Sequence, residues 1–256
     1  MHIYTNYNSE VNPINATTAS NKVSDKYQLI RTDKVIEVFQ DNGLQVVGQS
    51  FGKPRNKENI GFQKHLTAFS DDKYNIGEEQ LQLLLKNSHN GTSSFQLDLG
   101  CFRFACANGL VIGSSESSVS IRHTKNALDK LDKAIQYQLE RLPYIATKII
   151  DFKNYQVEPD KLPALVGALA SIRAGQVVTK LGKISIKRTE DSANNGTFNL
   201  WQVFNVIQEL SIKGGLVYFD NEKNEWKKTR KISSVDKVIK LNKELWNVAD
   251  HFKTAA

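Results

Sequence analysis

The sequence predicts an α+β fold: an antiparallel sheet with a hairpin, followed by a long helix packed across it and further C-terminal helices. Three observations carry this. Between Leu44 and Cys106 apolar and polar residues alternate in short runs, broken by turn-forming residues. Asn90-Gly91 sits between two of these runs, a strong hairpin signal. From Thr124 onward Leu128, Leu131, Ile135, Leu139, Leu142, Ile145, Ile149 and Phe152 recur every three or four residues, the single apolar stripe of a long helix. Strands first and helices after is an α+β order. At 256 residues the chain is long enough to bury a real core.

The elements follow in order. Residues 1–24 are rich in Asn, Ser and Thr and show no period, so a flexible N-terminal arm is expected. Residues 25–256 are expected to form one α+β domain with a basic C-terminal portion, 173–256. In "TDKVIEVFQDNG", Thr32 caps a short helix and Gly43 provides a left-handed stop. "LQVVGQSFGK" reads as a strand, "PRNKENIG" as a polar turn and "FQKHLTAFSD" as a second strand. "EEQLQLLLKNSHNGTSSFQLDLGCFRFAC" reads as two strands and their turn. Phe95, Leu97, Leu99 and Cys101 share one face, yet Phe102 and Phe104 take the other, so either both faces are covered or Gly100 marks a bulge. "GCFRFACANGLVIG" is expected to end the sheet, with Cys106 packed inside and Asn108-Gly109 turning the chain. Thr124 caps the long helix and Pro143 should kink or split it. Asp160 begins a short helix that Gly175 stops. "VVTKLGKISIKRT" fits either strand or loop. "GTFNLWQVFNVIQELS" is a helix with its aromatics inside, "GGLVYFD" and "NEWKKTRKISS" form a ribbon or loop, and "SVDKVIKLNKELWNVADHF" is a last helix.

Several chemistries lack their residue patterns. No apolar run approaches a membrane span, and no secretory signal is visible, so a cytoplasmic, membrane-free location is expected. Cys101 and Cys106 lack the spacing of a metal or redox pair, and five apart on a strand they face opposite ways. They read as structural. His2, His65, His89, His123 and His251 show no ligand spacing. Phosphate-loop, dinucleotide and nucleophile-elbow motifs are absent. The expectation is a non-enzymatic protein without metal or cofactor.

Charge points to a polyanion. The net charge is +7, and residues 129–256 carry 21 Lys and Arg against 15 Asp and Glu. Two stretches concentrate it: Arg173, Lys180, Lys183, Lys187 and Arg188, then Lys227, Lys228, Arg230, Lys231 and the lysines up to Lys243. A basic surface attracts nucleic acid, or simply keeps a protein soluble. Tyr218, Phe219 and Trp226 lead into "KKTRK". Aromatic faces beside cations suit single-stranded nucleic acid, although the same rings also cover helices. Arg103, inside an apolar strand, must pair with a carboxylate or face a phosphate. Arg122, His123 and Lys125 lie at the expected start of the long helix, where an anion is favoured or where the segment merely caps.

The segments "RFACANGL" and "SIRHTKN" resemble a family of phage- and plasmid-borne proteins of unknown function. Its members show Arg-x-x-Cys-x-Asn (here Arg103, Cys106, Asn108), then a His-Thr pair (His123-Thr124), a helix like "GTFNLWQVFNVIQE", and a closing pattern from Arg230 to Trp246. The resemblance spans roughly residues 30–250. The order of helix, hairpin sheet and long helix is in turn similar to phage single-strand annealing proteins of the RecT/Red-beta and Rad52-like type. That likeness implies a phage- or plasmid-encoded, non-enzymatic protein in the bacterial cytoplasm that binds and anneals single-stranded DNA for recombination. It implies rings or filaments of copies, with Arg103, Arg122, Lys125 and Arg173 on phosphates, helped by Lys180, Lys183, Lys187 and Arg188. Two other readings stay open: a protein-interaction or anti-defence factor of a mobile element, and a metal-dependent nucleic-acid enzyme using scattered carboxylates and His123.

Overall fold

The structure, a computed structural model, describes residues 11–51, 54, 56–77, 79–103, 108–111, 118–187, 189–232 and 234–255, with backbone alone at 101–103, 108–111, 235 and 255. The expected α+β architecture is present. In chain order the elements are α1 (Thr32–Asp41), β1 (Gln45–Phe51), β2 (His65–Ser70), β3 (Glu79–Asn87), β4 (Phe95–Arg103), β5 (Asn108–Val111), β6 (Val119–Ile121), α2 (Ala127–Asn154), β7 (Gln156–Val157), α3 (Leu162–Ala174), β8 (Phe198–Asn199), α4 (Leu200–Lys213), β9 (Val217–Asp220), β10 (Glu225–Lys228) and α5 (Val235–Ala255). Where one domain was expected over 25–256, the chain divides into two compact units: Met1–Val111 with Ser115–Ala146, and Thr147–Ala256 with Ile112–Ser114.

The first unit is built on an antiparallel sheet in the order β1-β2-β3-β4-β5, with β6 also on β4. The β3–β4 hairpin runs from Glu79 opposite Arg103 to Lys86 opposite Gln96. Its loop turns at Gly91, whose φ of +73° only glycine adopts without strain. The pairing passes Gly100 without a shift, so Gly100 marks no bulge. Instead both faces of β3 are covered, Leu81, Leu83 and Leu85 on one side and Gln82 and Leu84 on the other. The sheet's irregularity lies in β1, between Val46 and Gly48. α1 seals one end of the core with Val35 and Phe39, the latter 4.7 Å from Phe69 of β2. Each such buried side chain contributes about 1.5–3 kcal/mol.

Several local expectations change. Thr32 lies inside α1; Arg31 occupies the cap position and makes no side-chain cap. Asn108 and Gly109 belong to β5, opposite Arg103 and Phe102, and so are strand residues and no turn; 104–107, with Cys106, lie outside the described residues. α2 runs as one helix through Pro143, which is exposed, so of the expected kink or split the split does not occur. Leu128 of the expected stripe is exposed, while Ile135, Leu142, Ile145, Ile149 and Phe152 are buried. Nor do residues 11–24 behave as an arm. Pro13 and Ile14 are buried in a short turn capped by Asn12, and the Ser20 N–H donates to the His89 carbonyl at 2.8 Å.

The second unit is helical. α4 starts with a capping box in which Asn199 and Gln202 serve each other's backbone, and Gln202 Nε2 also donates to the Glu190 and Ser192 carbonyls. Trp246 of α5 stacks on Phe152 at 4.7 Å and meets Phe204 of α4 edge-on at 5.9 Å. On the buried face of α4, Gln208 Nε2 donates to Asn242 Oδ1 at 3.1 Å. Lys148–Asp250 at 2.8 Å and Lys253–Asp151 at 2.9 Å join α5 to the end of α2. α3 ends at Gly175 in the left-handed conformation, as its position indicated. β9 and β10 form a ribbon, the first of the two expected forms.

Candidate nucleic-acid interface

The ribbon is three chains wide for a short distance. Trp226 of β10 lies opposite Phe219 of β9. On the other side of β9 the run Lys180–Gly182 pairs with it: Phe219 N–H donates to the Lys180 carbonyl at 3.0 Å, and Gly182 N–H to the Val217 carbonyl at 2.9 Å. A Cβ on Gly182 would lie 2.7 Å from Val217 Cγ1, so this approach needs glycine. Cross-strand neighbours share a face. One face therefore carries Lys180, Phe219 and Trp226 in a row, with Val217 and Lys228 in the next. The Lys180 ammonium stands 5.3 Å from the centre of the Phe219 ring, and Trp226 meets that ring edge-on at 5.5 Å. Trp226 is 55% exposed, and Lys180 and Lys228 are exposed beside it. The exposed Trp226 ring, set edge-on against Phe219, thus has cations at its margins.

The other predicted residues are used differently. Tyr218 faces the opposite way and is buried. Lys227, on that side, is ion-paired with Asp220, which holds the carboxyl below the usual range and raises the lysine. Arg173 is committed to the main chain: Nε donates to the Ser211 carbonyl at 2.8 Å and Nη2 to that of Arg230 at 2.9 Å. Lys183, Lys187, Arg230 and Lys231 are exposed, and Arg188 lies outside the described residues. In the first unit Arg122 and Lys125 are exposed just before α2. Only the backbone of Arg103 is described, and the position opposite it is held by Glu79, a buried carboxylate.

His123 is no phosphate ligand. It is 8% exposed, its ring stacks on Tyr27 at 4.6 Å, and Nδ1 bonds the Gln28 carbonyl at 3.1 Å. It belongs to a buried polar cluster with His65 and His89, whose rings lie 5.0 Å apart. His65 Nδ1–H donates to the Gln63 carbonyl at 3.0 Å, leaving Nε2 to accept from the Thr32 hydroxyl at 2.7 Å. Thr32 Oγ1 in turn accepts from Asn87 Nδ2 at 3.0 Å. Burial pushes His65 down to about 4; burial, then the nearby His65, pushes His89 down to about 3; burial lowers His123 as well. All three are therefore neutral imidazoles. Among the described residues no group of three or more His, Cys, Asp or Glu is arranged to hold a metal ion. The three histidines come from β2, the β3–β4 loop and the segment before α2, so no local spacing in the sequence could reveal them.

Comparison with known proteins places the chain. A family described as a domain of unknown function (DUF932) matches residues 20–246, a span that includes both the ribbon and the histidine cluster. The chain belongs to the DUF932 family. Two relatives from Escherichia coli (strain K12), UPF0380 protein YfjQ and UPF0380 protein YafZ, are each 30% identical over 234 residues, covering 90% of this chain and 84% of their own length. No solved structure matches. In this DUF932 chain the described residues offer a stacking surface with cations and a neutral buried histidine cluster, and no described helix is long and apolar enough to cross a membrane.

Proposed function

We propose that this protein binds single-stranded DNA, without covalent chemistry, on the Lys180–Phe219–Trp226 face of the ribbon. The observation that supports this reading is the exposed Trp226 set in a row with the half-buried Phe219 and a lysine. Every base has a π-face, and stacking one on an aromatic side chain contributes about 1–3 kcal/mol irrespective of sequence. Lys180 and Lys228 stand where the phosphates of a stacked strand need neutralising. A duplex keeps its bases stacked inside and presents none to Trp226.

The test is oligothymidylate binding followed by anisotropy across a salt series. Wild type is expected to prefer the single strand over duplex and to weaken steeply with salt. Trp226→Ala is expected to lose roughly tenfold or more, the value of one stacked base, with the salt slope unchanged. Binding that ignores salt, or that prefers duplex, removes the proposal. Annealing of strands by a ring or filament of copies, the arrangement implied by the RecT-like order of elements, extends this reading. Mass photometry with and without the oligonucleotide tests it, and a monomer in both conditions removes the extension.

A further inference from the structure

Past Gly182 the same chain borders a groove that does not suit nucleic acid. Leu162 and Val166 of α3, Val203 and Ile207 of α4, and Ile184 and Ile186 line a space of about 190 Å³. An apolar cavity of about 150 Å³ already holds an aromatic ring and stays dry. The lining side chains are all apolar, so the donors and acceptors of a base edge would find no partner there. An aliphatic or aromatic side chain fits.

One wall is the run Lys183–Lys187, "KISIK". It continues from Gly182 without turn or bend, and among the described residues its main chain exchanges no hydrogen bond. Ile184 and Ile186 line the groove while Lys183 and Lys187 are exposed. Unpaired main-chain groups beside an apolar slot form an edge to which a further strand can add. The charges decide which strand. A second copy paired antiparallel about Ser185 would set Lys183 against Lys187, and like charges directly opposite are destabilising. A strand with carboxylates at those places gains instead.

We propose that this edge and groove bind an extended acidic peptide segment, its apolar side chains in the groove and its carboxylates against Lys183 and Lys187. The site goes beyond the DNA reading and uses neither Phe219 nor Trp226. The probe is a labelled peptide alternating aspartate with isoleucine and phenylalanine, compared by anisotropy with the same peptide carrying lysine for aspartate. The acidic peptide is expected to bind tighter by roughly tenfold, as two cross-strand pairs pass from like to opposite charge. Ile186→Asp, at a position 37% exposed and so tolerant of change, is expected to abolish binding. Lys183→Glu with Lys187→Glu is expected to invert the preference, and Trp226→Ala to leave it unaltered. No binding of either peptide, equal affinity for both, or indifference to Ile186→Asp overturns the proposal. So does a concentration-dependent dimer that Ile186→Asp dissolves, which would assign the edge to a second copy. Peptide binding that persists while oligothymidylate fails to bind overturns the DNA reading alone.

Discussion

Trp226 and Arg173 show how little residue type says about role. Both lie in the basic half and both suit nucleic acid. Trp226 stands exposed beside Phe219, whereas the Arg173 guanidinium is spent on the carbonyls of Ser211 and Arg230. The two substitutions should separate cleanly. Arg173→Ala leaves those two carbonyls without their charged donor and is expected to cost about 1–3 kcal/mol of stability, read as a lower urea midpoint, with oligonucleotide salt dependence unchanged. Trp226→Ala should show the reverse, normal stability with weakened binding. Arg103 belongs to the same lesson. Its position in an apolar strand required a partner, and the register supplies a carboxylate position, Glu79, directly across.

Among the elements, those governed by local patterns were legible beforehand. Strands β1 to β4 followed from alternation, the hairpin from Asn90-Gly91, α2 from its stripe and the end of α3 from Gly175. What escaped depends on distant contacts. Asn108-Gly109 has turn chemistry, yet it pairs with Phe102 and Arg103 because β4 offers an open edge there. Lys180–Gly182 becomes a third ribbon chain only because β9 lies beside it. The histidine cluster is the largest omission, since it joins the segment before α1, α1 itself, β2, the end of β3 with its loop, and the segment before α2. Its consequence is a stability that depends on pH. The unfolded chain takes up protons at the ordinary value of 6.5, while folded His65 and His89 resist until about 4 and about 3. Stability is therefore full above 6.5 and falls as pH drops below it, by about 1.4 kcal/mol per pH unit for each histidine. The fall levels off below the folded values. Urea midpoints measured across this range should show it, and His89→Gln should remove one histidine's share of the slope.

Across the whole molecule charge is uneven, and the excess of Lys and Arg lies in residues 129–256. If the ribbon is the contact, the salt dependence belongs to a few side chains and not to the total. Changing Lys180 and Lys228 to Gln is expected to lower the salt slope by about 1.4, at about 0.7 per neutralised phosphate on a single strand. Changing Arg122 and Lys125 to Gln should leave it as it was. Salt titrations of the two double variants decide between a local contact and a diffuse basic surface. The ribbon has one more consequence, an optical one. The chain has three tryptophans: Trp201 and Trp246 are 3% exposed and packed against phenylalanine rings, while Trp226 stands open to solvent. A collisional quencher such as iodide reaches only the last. The red-shifted, quenchable part of the emission thus comes from the ribbon alone, and whatever settles there dims or shields its own native, label-free reporter.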